Sequence, residues 1–137
     1  MPEAFVDTDV IVRMITGDDP VKQAAAIALF EKVESGELTL RAPVTVIADA
    51  VYVLGSRRLY GLPRADVREM LDTLVNLRHF DVENRRAVID ALEIYEATNL
   101  DFGDAMIAAR IRQDGLQNVF SYDHGFDRLR HLVRVEP

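Results

Sequence analysis

The chain has no cysteine, and only two of its sixteen cationic side chains, Lys22 and Lys32, are lysines. Without cysteine there is no disulfide framework, no thiolate chemistry and no cysteine-ligated zinc site. Glycine and proline, at 7 and 5 residues, are too sparse to suggest disorder. No apolar run approaches the roughly 20 residues that a membrane helix needs. Asp7 and Asp9 stand where a signal peptide would be apolar, so a cytoplasmic protein away from the membrane is expected. Nor is there an excess of positive charge, and a net charge of −7 argues against broad, non-specific nucleic-acid binding through a basic surface. Nucleic acid itself stays open, because a carboxylate cluster holding divalent ions carries much of its charge where the metals cancel it.

What is present fits one domain over residues 1–137, long enough to bury a core without a staple. An apolar run leads into Asp7 and reads as a short buried strand, followed by a short helix that Gly17 closes. Asp19 before Pro20 is a strong helix start, with the acid as N-cap and proline at the first helical position, and a helix over 21–35 follows. Further helices are expected over 44–58, 64–77, 85–97 and 105–113, with a helical turn over 125–129. Strands are expected over 38–42, 80–82, 118–122 and 132–135. The helix over 44–58 is apolar nearly all round apart from Asp49 and is expected to be mostly buried. Alternating strands and helices imply crossover connections over a mainly parallel sheet. The expected fold is therefore α/β, a three-layer α/β/α sandwich with a short sheet of four or five strands.

Four carboxylates occupy positions suited to chemistry. Asp7 and Asp123 follow strands, Asp104 lies in the first turn of a helix, and Asp49 is the one charge between Val44 and Gly55. Strand ends of an open parallel sheet are where ligands bind. A cluster of such acids repels itself unless cations hold it, and an all-oxygen set selects Mg²⁺ or Mn²⁺. Two such ions suit phosphodiester hydrolysis, since they ionise a water and stabilise the leaving oxygen. Structural roles compete at each position. Asp7 or Asp9 suits a helix cap, Asp101 and Asp104 have capping-box spacing, and Asp123 suits a turn. Asp49 resists such a reading, because a carboxylate on an apolar helix is costly without a partner, and Arg57 and Arg58 lie too far along the helix to pair with it.

Four segments resemble the PIN-domain ribonucleases, in particular the VapC-type toxins of bacterial toxin-antitoxin pairs. They are Phe5-Val6-Asp7-Thr8-Asp9-Val10, Val46-Ile47-Ala48-Asp49-Ala50-Val51-Tyr52-Val53-Leu54, Leu100-Asp101-Phe102-Gly103-Asp104-Ala105-Met106-Ile107-Ala108-Ala109, and Phe120-Ser121-Tyr122-Asp123. The resemblance implies that Asp7, Asp49, Asp104 and Asp123 are the catalytic, metal-binding acids, supported by Thr8, Asp101 and Ser121. It also implies cleavage of RNA with Mg²⁺ or Mn²⁺ to leave 5′-phosphate and 3′-hydroxyl ends, a homodimer, and a small antitoxin partner. Arg13, Arg57, Arg58 and Arg110 are the candidates for RNA phosphate contacts, and Val51, Leu54, Met70 and Leu74 for the dimer face. Two departures stand out: Asp49 where the family usually has Glu, and Asp9 where it usually has Asn.

Two other readings stand beside this one. The tetrad Asp7-Thr8-Asp9-Val10 resembles the start of a haloacid-dehalogenase-type phosphatase with Asp7 as nucleophile, but that chemistry needs a late lysine and none follows Lys32. A PIN fold of weak activity, used as a binding module, is the other reading, and Asp49 in place of Glu favours it.

Overall fold

The computed structural model describes residues 2–137. It divides into two compact units, the first running to Arg85 and the second spanning Arg86–Pro137.

In the first unit the order is β1 (Glu3–Phe5), α1 (Thr8–Ile15), α2 (Pro20–Glu34), β2 (Thr39–Ala42), α3 (Val44–Gly55), α4 (Arg64–Val75) and β3 (Phe80–Val82). The three strands form one sheet in the order β1-β2-β3, parallel throughout, as their separation by helices demands. Phe5, Arg41 and Asp81 share a register line across it. Side chains alternate between faces of a strand. Leu40 and Phe80 are accordingly buried while Arg41 and Asp81 are exposed. Phe80 meets Phe30 of α2 edge-on, with ring centroids 5.6 Å apart, the geometry that places a positive ring edge on a negative face. α2 starts where the sequence predicts, with the Asp19 carboxylate accepting from the Lys22 N–H at 3.1 Å.

α3 corrects one expectation. It is not buried all round: Thr45, Asp49 and Tyr52 are exposed, while Ile47, Ala50, Val51 and Leu54 are buried. The exposed residues are spaced i, i+4 and i+7 and so lie on one stripe, which makes α3 an ordinary amphipathic helix. Val51, Leu54 and Leu74 belong to the core, and Met70 is the partly exposed member of the four residues considered for a dimer face.

The second unit contains α5 (Arg85–Ala97, whose first residue closes the first unit), α6 (Phe102–Gln113), β4 (Asn118–Phe120), a 3-10 helix (His124–Arg128) and β5 (Val133–Val135). β4 and β5 pair in parallel, with Val119 opposite Arg134. Leu92, Ala105, Ala108, Phe126 and Leu132 are among its buried residues. α6 begins at Phe102, three residues before the expected start, because Asp101 is its N-cap and Asp104 sits inside its first turn. Among the described residues, no helix is long and apolar enough to cross a membrane.

Candidate active site

In the first unit Asp7 lies just past the end of β1, exposed, and its carboxylate accepts from the Thr8 N–H at 2.7 Å, capping α1. The Thr8 hydroxyl donates to the Val46 carbonyl at 3.2 Å. Val46 and Asp49 are three residues apart in α3 and face the same side of it. One hydroxyl thus ties the start of the helix behind Asp7 to the turn that carries Asp49. Asp49 is exposed. Water solvates its carboxylate, which therefore needs no charged partner, contrary to the expectation of a buried acid.

The carboxyl ends of the three strands line a cleft of about 510 Å³ that includes Phe5, Arg41, Pro43, Asp81, Glu83 and Arg85. Sequence reasoning missed Arg41 and Arg85. Arg41 was findable, because alternation in a strand with buried Leu40 and Ala42 leaves it on the open face. Arg85 donates through Nη2 to the Phe80 carbonyl. The four arginines proposed for RNA divide into two kinds. Arg13 is paired with Asp18 at 3.1 Å and Arg110 with Asp114 at 3.2 Å. Arg57 and Arg58 are exposed and carry no ion pair among the described residues. Asp18 is a structural acid. The Tyr60 hydroxyl donates to it at 2.7 Å, and this bond foremost, with Thr16 and Arg13, holds its carboxyl below the ordinary range.

In the second unit the structure brings three of the expected acids together. Asp101 accepts from the Asp104 N–H at 2.8 Å, which confirms the capping reading for Asp101. The Asp104 carboxyl lies close enough to those of Asp101 and Asp123 for their charges to bear on it. Burial first, and then the charges of Asp101 and Asp123, raise the Asp104 carboxyl above its ordinary value. Asp123 is held at both ends: its N–H donates to the Ser121 hydroxyl at 3.0 Å, and its carboxylate accepts from the Gly125 N–H at 2.8 Å. No arginine, lysine or histidine forms an ion pair with Asp104 or Asp123 among the described residues. Arg134 and His124 bond Asp127 at 2.9 and 3.0 Å and lower its carboxyl.

Neighbouring acids that raise the proton affinity of Asp104 in this way also favour a cation beside it. Asp104 and Asp123 therefore suit a hard, oxygen-loving cation by their chemistry. Among the described residues no three His, Asp or Glu side chains are arranged as a ready metal cage.

Parallel strands linked by helices, with acids at strand ends and helix starts, define an α/β protein with an acidic site. The chain belongs to the PIN domain family, whose model matches residues 4–132. It is similar to a VapC ribonuclease of Aquifex aeolicus (strain VF5), 26% identical over 125 residues that cover 91% of this chain and 90% of that protein. It is also similar to the crystal structure of Mycobacterium tuberculosis VapC20, described as a toxin that cleaves the sarcin-ricin loop. That match is 18% identical and covers 98% and 99% of the two chains, with a TM-score of 0.41, too low to bear on the fold. The family expected from the four sequence segments is thus the one found, and the haloacid-dehalogenase-type reading falls with it.

Proposed function

We propose that this chain is a metal-dependent endoribonuclease that hydrolyses RNA phosphodiester bonds, the toxin of a toxin-antitoxin pair, acting as one domain over 1–137. The reading rests on family membership together with one observation: Asp104 lies near Asp101 and Asp123, its carboxyl is raised, and neither Asp104 nor Asp123 forms an ion pair among the described residues. The carboxylates it would use are Asp7, Asp49, Asp104 and Asp123, and the ion they suit is Mg²⁺ or Mn²⁺. A divalent ion bound there would supply the Lewis acidity that makes water a nucleophile at neutral pH. The chain's own residues do the holding. Asp101 fixes the first turn of α6 and so the backbone of Asp104, while Ser121 and Gly125 fix the backbone and the carboxylate of Asp123. Of the four candidate arginines, Arg57 and Arg58 are the two without an ion pair among the described residues and so are the ones free for RNA phosphates. A small antitoxin, a homodimer and a cytoplasmic setting complete the proposal, as the family resemblance of the sequence implies.

The test is cleavage of a fluorogenic RNA with Mn²⁺ titrated from zero. Cleavage that requires the metal, and that folded Asp104→Asn and Asp7→Asn lose, supports the nuclease. Full activity in excess chelator, or in folded Asp104→Asn, refutes it. A folded wild type that binds RNA without cutting it would favour the binding module that Asp49 in place of Glu suggests.

A further inference from the structure

We infer that Arg134 is a positioning residue for Asp123, gripping the loop that carries this acid from both sides. The inference rests on the assignment of Asp123 to the nuclease site. Arg134 sits in the middle of β5, opposite Val119 of β4, and its side chain is only 11% exposed. Its Nη1 donates to the Ser121 carbonyl at 3.0 Å and to Glu136 at 2.9 Å. Its Nε donates to the Asp127 carboxylate at 2.9 Å, and its Nη2 lies 3.0 Å from His124 Nδ1. The residues it holds by hydrogen bonds around Asp123 are Ser121, two before it, and Asp127, four after it, while His124 Nδ1 is engaged with Asp127. One planar guanidinium thereby spans the end of β4 and the 3-10 helix, a reach and fork geometry that a lysine ammonium cannot reproduce.

The grip acts on Asp123 through bonds already described. Ser121 offers its carbonyl to Arg134 while its hydroxyl accepts from the Asp123 N–H. Gly125, between the two residues of the 3-10 helix that contact Arg134, donates its N–H to the Asp123 carboxylate. There is no slack at that point. A Cβ on Gly125 would stand 2.7 Å from Leu100 Cδ2 and 3.0 Å from Asp123 Oδ1, so the turn is pressed against the buried Leu100 on one side and the acid on the other. A loop packed this closely has one arrangement in which the carboxylate is aimed, and Arg134 is the group that closes it.

The experiment compares wild type with Arg134→Gln, Arg134→Lys and Asp127→Asn. Amide hydrogen exchange at Gly125 is followed by NMR in metal-free protein, and Mn²⁺ affinity by direct titration with electron paramagnetic resonance. Folded Arg134→Gln and Arg134→Lys should both exchange the Gly125 amide faster and bind Mn²⁺ about tenfold more weakly, the usual cost of losing a group that orients a ligand. Asp127→Asn, which leaves the bonds of Arg134 to Ser121 and Glu136 in place, should move both readouts the same way by less, and it serves if loss of Arg134 unfolds the chain. Unchanged exchange in the folded variants, or full restoration by lysine, would overturn the inference. A wild type that takes up no Mn²⁺ would instead sink the metal reading above, while the exchange measurement would still decide the role of Arg134.

Discussion

Asp101 gives the sharpest test of how the acidic cluster is built, because its carboxylate has a structural task separable from its charge. It accepts from the Asp104 N–H at 2.8 Å and satisfies a donor that the first turn of α6 otherwise leaves open. Asp101→Ala removes that acceptor and should cost about 1 kcal/mol. For a chain of this length that is a fall in melting temperature of about 3 to 5 °C. Asp101→Ser keeps an oxygen at the cap and removes only the charge. The charge has two opposing effects: it favours the helix N-terminus, and it repels Asp104. These offset, so Asp101→Ser should stay within about 0.5 kcal/mol of wild type. Urea unfolding followed by circular dichroism in chelator measures both variants. Equal destabilisation by serine and alanine would mean that Asp101 acts through its charge. A neutral alanine variant would mean that the cap contributes nothing, and either result refutes the argument.

Four further outcomes are expected. Asp104→Asn should raise the melting temperature of the metal-free protein at pH 7. A carboxyl raised in the folded state costs nothing below its ordinary value of 3.8, costs progressively more as pH climbs toward the raised value, and costs fully above it. A variant that melts lower than wild type at pH 7 contradicts this. Asp49→Glu restores the acid usual in the family with one more methylene, and cleavage at limiting Mn²⁺ should rise by up to about tenfold; a fall would remove Asp49 from the ligand set. Phe80→Ala should destabilise by about 3 to 5 kcal/mol in urea unfolding, because the ring is wholly buried against Phe30. The double change Phe30→Leu/Phe80→Leu should cost about 1 kcal/mol less than the two single changes summed, and strict additivity would deny the ring contact any energy of its own.

What the sequence revealed and what it hid divide along a physical line. Signals carried by neighbours in the chain were legible: Asp19 before Pro20 marks the start of α2, and the three-residue spacing of Asp101 and Asp104 marks a cap. Asp49 was misjudged for want of one more step of the same kind. Thr45 and Tyr52 lie at helical spacing from it, and together they describe a solvated stripe rather than a buried charge. Facts that depend on which strand lies beside which had no local sign. The partners of Arg134 are assembled by the parallel pairing of β4 and β5, and its position in an alternating Val-Arg-Val run reads only as an outward-facing charge. The approach of Asp104 to Asp123 joins a helix start to a turn across eighteen intervening positions of sequence, and no periodicity encodes it. The pattern of acids thus identified the family. How Asp123 is aimed depends on Arg134, a residue in no recognised motif, and substitutions at β5 test that dependence more directly than substitutions of the acids themselves.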